Sequence, residues 1–290
     1  MISKLIVLFC LILNANQTSF ADYIPPQDVE VKTITYSPEK TEFEEGIYEY
    51  SVEWQGIPVG SSKVIVKKDK ANITTVTATA VSSGVVKVFY SLRHLSESIF
   101  RSDTFKPLSF FSIQKENSKI KSREIKFSDE GQIEAKLYKH KNEQRKTDEE
   151  INFHSENVTL DPITAAFLAR SLPVHGNEEY TFDVFNGKHR FLITLKVVGR
   201  ENIKVEGKTF DTYKVVPTVK KLTDTEGEKR LRSAAIWVTA DDNRDIVKLE
   251  SSVLIGAVSA ELVKFIPVHS DSYLSTARAS LSQKTDILSQ

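Results

Sequence analysis

The chain has 290 residues, with 39 lysines and arginines against 39 aspartates and glutamates, and no basic stripe along its length. That balance argues against the phosphate-neutralising surface of a nucleic-acid-binding protein. Cys10 is the only cysteine, so a chain processed beyond it has no disulfide and depends on the size of its core.

Residues 1–21 read as a signal peptide. Lys4 supplies the positive charge, Leu5 to Leu13 forms an apolar run, and Ser19-Phe20-Ala21 places small residues at the −3 and −1 positions of a cleavage site. The run is too short to span a bilayer as a helix. Phe9 stands where a lipidation box requires a small residue, which argues against an acylated Cys10. The expectation is a periplasmic protein beginning at Asp22 and not membrane-spanning once the signal is removed. Residues 22–44, with Pro25-Pro26 and several acids, read as an extended leader.

From residue 45 onward, alternation with a period of two dominates. Tyr48, Tyr50, Val52 and Trp54 share one face of a first strand. Gln55-Gly56-Ile57-Pro58 breaks it, and strands over 59–67 and 72–81 complete an antiparallel meander. Residues 85–100 read as a strand with a helical end, because Val86, Val88 and Tyr90 alternate while Leu92, Leu95 and Ile99 have helical spacing. Further strands are expected over 108–114, 120–127 and 132–138. After residue 178 they follow at 180–185, 190–198, 212–220, 233–239, 246–254 and 258–265. Asn186-Gly187 between two of them is a hairpin signal, since both residues tolerate positive φ.

One segment is helical. Asp161 is an N-cap, Pro162 occupies the first helical position, and Pro173 ends the run. The expectation is therefore an all-β domain over 45–267 with one covering helix: a curved antiparallel sheet or incomplete barrel whose concave face meets the 161–172 helix. Arg170 is expected to snorkel out of the apolar helix face, and Trp54 and Trp237 to be core residues. Residues 268–290, with six serines between 270 and 290, read as a flexible tail.

Five segments carry a family resemblance: Trp54-Gln55-Gly56-Ile57-Pro58-Val59-Gly60, Asp161 to Phe167, Phe182 to Lys188, Ile236 to Asp241 and Gly256 to Leu262. In this order they resemble a domain family of unknown function found in exported proteins of Gram-negative bacteria. The resemblance implies an all-β periplasmic domain and no established catalytic residues. The pattern of many strands around one helix also resembles, at the level of fold alone, the half-barrel lipoprotein carriers of the periplasm.

Catalytic motifs are lacking. None of the six histidines lies three to five residues from another, and the chain has no Gly-x-Ser-x-Gly elbow and no phosphate-cradling glycine loop. Asp241 to Asp245 starts like a calcium loop, but Ile246 stands at the glycine position and Ser252 at the terminal glutamate, so it reads as an acidic hairpin turn. Lys139-His140-Lys141 reads as a solvated hairpin tip. No metal or cofactor is expected.

The favoured expectation is a non-catalytic binding or carrier protein for an apolar envelope ligand, a lipid or acyl chain. Phe89, Tyr90, Phe110, Phe111, Phe167, Leu168 and Trp237 are its candidate lining residues. Two alternatives stand beside it: a structural or protein-interaction module partnering another envelope protein, and a hydrolase with scattered catalytic residues. A cavity of several hundred cubic ångströms favours the carrier, and a filled core favours the interaction module.

Overall fold

Alternating apolar residues make strands, and here the strands join edge to edge in one sheet. The computed structural model describes residues 24–40, 42–84, 86–141, 144–223, 234–252 and 256–269. The proposed signal (1–21) and the tail beyond residue 269 lie outside the described residues. Among the described residues fourteen strands form a single antiparallel sheet. They are β1 (Gly46–Trp54), β2 (Ile57–Lys68), β3 (Ile73–Ser82), β4 (Leu92–Arg101), β5 (Pro107–Glu116), β6 (Lys119–Phe127), β7 (Gln132–Lys141) and β8 (Gln144–His154), then β9 (Glu179–Phe185), β10 (Arg190–Val205), β11 (Lys208–Lys221), β12 (Ala234–Thr239), β13 (Ile246–Ser252) and β14 (Ala257–Pro267).

The chain enters at the middle of the sheet, meanders out to β8, crosses to the opposite edge at β9, and meanders back until β14 pairs with β1. The crossing contains the helix α2 (Pro162–Ser171); the other α-helix among the described residues is the single turn α1 (Val86–Phe89). Pairing β8 with β9 would close a barrel. That seam instead holds Leu160, which makes an isolated parallel bridge to Val184 through Leu160 N to Asp183 O (2.8 Å) and Phe185 N to Leu160 O (2.9 Å).

The expectation of an all-β curved sheet around one helix holds, and three local differences are informative. β8 is not visible as a strand in the sequence, because Glu149-Glu150-Ile151-Asn152-Phe153 offers only Ile151 and Phe153 to the core among polar neighbours. The 85–100 segment has its helical part first and its strand last, the reverse of the expected order. Leu92 faces the core and Leu95 the opposite side, where it packs with Ile113; two-sided burial mimicked helical spacing. β10 and β11 run well beyond the expected ends as a long hairpin.

The concave face is filled by two apolar clusters, one centred on Phe100, Phe105, Phe167, Phe182 and Phe185, the other on Val52, Leu92, Val215, Val238 and Leu249. Gly60 is required by close approach, since a Cβ there would lie 2.5 Å from the carbonyl oxygen of Val81. The described residues of the leader add no strand but are bound to the body. Ile34 N donates to Asn157 Oδ1 at 3.0 Å, Glu39 N donates to Ser171 O at 2.8 Å, and the Tyr36 ring stacks on Phe182 with centroids 5.4 Å apart.

The seam is held by a buried ion pair. Arg190 donates to both Asp183 oxygens (Nε to Oδ1, 2.9 Å; a terminal nitrogen to Oδ2, 2.6 Å) and to Ser155 Oγ at 2.8 Å. Thr159 Oγ1 donates to the same carboxylate at 3.1 Å, and the remaining guanidinium nitrogen faces the carbonyls of Pro26 and Val29 at 3.4 and 3.5 Å. Both side chains are buried, at 4% and 0% exposure. Removing one partner strands the other charge in the interior, which costs about 3–5 kcal/mol. Arg190→Met is therefore expected to lower unfolding stability by that amount in urea titration, and the paired change Arg190→Met with Asp183→Leu to recover much of it; equal losses in both variants would contradict this account.

Candidate functional site

α2 is fixed at both ends by polar contacts. At its N-terminus Asp161 Oδ1 accepts from Ile163 N (2.9 Å) and Thr164 N (3.1 Å), and its other oxygen accepts from Thr164 Oγ1 and from Ser98 Oγ of β4 at 2.8 Å. Burial pushes the Asp161 carboxyl upward, and these four donors oppose it. At the C-terminus Arg170 does not snorkel outward: it is 8% exposed. Its Nε donates to Arg244 O at 2.7 Å, and a terminal nitrogen donates to Asp245 Oδ1 at 2.7 Å and Asn243 O at 3.1 Å. Arg244 returns the contact by donating to the carbonyls of Arg170 and Leu172. The 241–245 segment is the β12–β13 turn that the sequence indicated, with Asp241 Oδ1 accepting from Asn243 N and Arg244 N.

Between these anchors the helix presents small side chains to the sheet. Pro162, Ala165, Ala166 and Ala169 leave a cavity of about 110 Å³ whose walls are almost entirely carbon. Tyr180 and Phe182 of β9, Ile193, Leu195 and Val197 of β10 and Val215 of β11 form one side. Ile236, Val238, Ile246 and Leu249 form another, and the stems of Arg170 and Arg244 lie at the helix C-terminal end. The cavity falls where the two apolar clusters meet, because an alanine face cannot fill the space that larger side chains would occupy. Half-buried Ala166 and Ala169 place its mouth beside the helix.

The six candidate lining residues whose side chains are described do not border this cavity, and the fold does not gather them. Phe110, Phe167 and Leu168 are packed in the larger cluster and Tyr90 in the smaller one. Phe111 lies on the convex side against Leu95 and Ile113. Trp237 is also on that side, since its neighbours Ile236 and Val238 point inward; its Nε1 donates to Glu201 Oε1 at 2.7 Å beneath the ammonium groups of Lys214 and Lys248. Trp237 is thus buried, but under lysine stems, while Trp54 packs on the smaller cluster. Phe89 ends α1, and its side chain lies outside the described residues. The signal that could have located the cavity was Ala165-Ala166 with Ala169, a helix face too small to fill a concave sheet.

Among the described residues no group of three or more His, Cys, Asp or Glu is placed to hold a metal ion, and no helix is long and apolar enough to cross a membrane. Filling the void with side-chain carbon tests the geometry. Ala169→Leu is expected to raise stability by about 1 kcal/mol in chemical denaturation while blocking entry of small apolar probes. A destabilised variant would show that the space is not available.

Comparison with solved structures gives a β-barrel-like protein of the domain of unknown function DUF1849 from Brucella abortus, at TM-score 0.51 and 12% identity, covering 78% of this chain and 98% of the other. That likeness shows the fold alone. The hypothetical lipoprotein YmcC from Escherichia coli aligns at TM-score 0.27 and 8% identity over 77% of this chain and 85% of its own, too slight to bear on fold or function. No curated protein sequence matches. The profile of one family does match, over residues 49–263, a span that contains almost all of the sheet, α2 and the whole cavity. The chain belongs to the family described as "Protein of unknown function (DUF3108)".

Proposed function

We propose that this domain is a non-catalytic binding or carrier module of the periplasm that takes an apolar group, such as the end of a lipid acyl chain, between α2 and the sheet. The observation that carries the reading is the carbon-walled cavity beneath the alanine face of α2. The expectation of export rests on the first 21 residues of the sequence.

The size of the cavity sets what can enter. Sites for whole small molecules measure roughly 300–1,000 Å³, and dry cavities of about 150 Å³ accept a benzene-sized guest. At about 110 Å³ the space falls short of the several hundred cubic ångströms expected of a carrier, and it suits a chain terminus and not a complete lipid.

The rival reading, a structural or protein-interaction module, draws support from the same volume, because most of the interior is packed. The two readings separate in one experiment. Native mass spectrometry of protein purified from its own envelope is expected to show a bound acyl-bearing species, and delipidated protein to take up a fluorescent fatty acid that Ala169→Leu excludes. Protein that carries nothing and takes up nothing would leave the interaction module as the better reading.

A further inference from the structure

The concave face carries a second constellation, outside the α2 cavity, which charge counting could not reveal. On β6 and β7 the inward positions begin apolar, with Ile125 opposite Ala135. Two residues along β6 the inward residue is Arg123, opposite Leu137, and two further it is Lys121, directly opposite Lys139. These cations are half-buried, whereas the outward Lys126 and Lys136 on the same strands are exposed.

The β9–β10 turn folds onto this face and adds a fourth cation. A Cβ at Gly187 would lie 3.3 Å from the Arg123 side chain, and Arg123 donates to Asn186 O at 3.5 Å. Lys188 Nζ reaches Glu149 of β8 at 3.3 Å, with 18% of the lysine side chain exposed. Four cations thus converge near two carboxylates, Glu149 beside Lys188 and Glu116 acting on Lys121.

Like charges directly opposite on neighbouring strands destabilise a sheet. Burial holds both Lys121 and Lys139 below the ordinary lysine range, and Arg123 and Lys188 push each further in the same direction. Behind them His94 of β4 is buried and lowered to about 4, first by burial and then by Arg123, so it is neutral near pH 7. A fold retains such a local conflict where something else is gained.

We propose that Lys121, Arg123, Lys139 and Lys188 form a binding site for a phosphate group, presented either by free phosphate or by a phosphate-bearing lipid headgroup. A single carboxylate is matched by one bidentate arginine. Three lysines and an arginine suit the higher charge and several acceptor oxygens of a phosphate monoester. The site does not depend on acyl binding at α2, and either can fail alone.

The test uses purified protein titrated calorimetrically at low salt with inorganic phosphate, and separately with phosphatidylcholine vesicles with or without phosphatidic acid. Binding is expected to weaken about tenfold or more in Lys121→Gln with Lys139→Gln, since charged hydrogen bonds are lost. Lys136→Gln on the outer face is expected to leave it unchanged. Removing two opposed cations relieves repulsion, so the double variant is expected to melt no lower than the parent. Lys121→Arg with Lys139→Arg, which keeps the charge, retains binding. Phosphate binding without vesicle binding assigns the free anion, and binding only to vesicles with phosphatidic acid assigns the headgroup. No binding of either probe, or binding that the double glutamine variant leaves intact, or equal loss in Lys136→Gln, overturns the proposal.

Discussion

The buried pair of Arg190 and Asp183 is the contact on which the rest of the structure depends. A meander that starts and ends at the middle of its own sheet has two remote edges, β8 and β9, and no ladder joins them. The guanidinium closes that gap with fixed geometry. It engages Asp183 on β9, Ser155 just beyond β8 and the carbonyls of the leader at Pro26 and Val29. Arginine suits this task, because its planar fork serves several acceptors at once and its charge survives burial.

With the seam held, the position of α2 follows. The ten-residue helix lies in the crossing between the two edges and is tied to β4 by Asp161 and Ser98 and to the β12–β13 turn by Arg170 and Asp245. Neither anchor involves its alanine face. The leader adds a strap along the helix end, with Phe43 edge-on to Phe167 at 4.9 Å and the Arg170 guanidinium over the Phe43 ring at 4.7 Å. The helix is therefore held in place by charge and by aromatic contacts on other faces. The space beneath Ala165, Ala166 and Ala169 stays open instead of collapsing.

Fold class and the helix were legible in the sequence because period-two alternation and an Asp-Pro start are local signals. Sidedness was not. In Ala234-Ala235-Ile236-Trp237-Val238 every residue is apolar, so nothing local tells which parity faces inward, and Trp237 lies on the face of its strand away from the cavity. Phe111 follows Phe110 in the same way, and only the cross-strand register separates them. Large aromatic residues are the conspicuous candidates for a lining, while the cavity exists because small residues fail to fill space. The cationic cluster was hidden for a different reason: Lys121, Lys139 and Lys188 come together only through the β6–β7 register and the docking of the β9–β10 turn.

The most direct test of the account places a ligand against α2. Methyl-labelled protein saturated with a perdeuterated fatty acid protonated only at its terminal methyl can be examined for intermolecular NOEs. The account predicts contacts from that methyl to Ala165, Ala166 and Ala169 on the helix and to Val215, Ile236 and Val238 on the sheet, the residues that wall the cavity. Contacts confined to the convex side, around Leu95 and Ile113, or no contact to the alanine methyls at saturation, would contradict it.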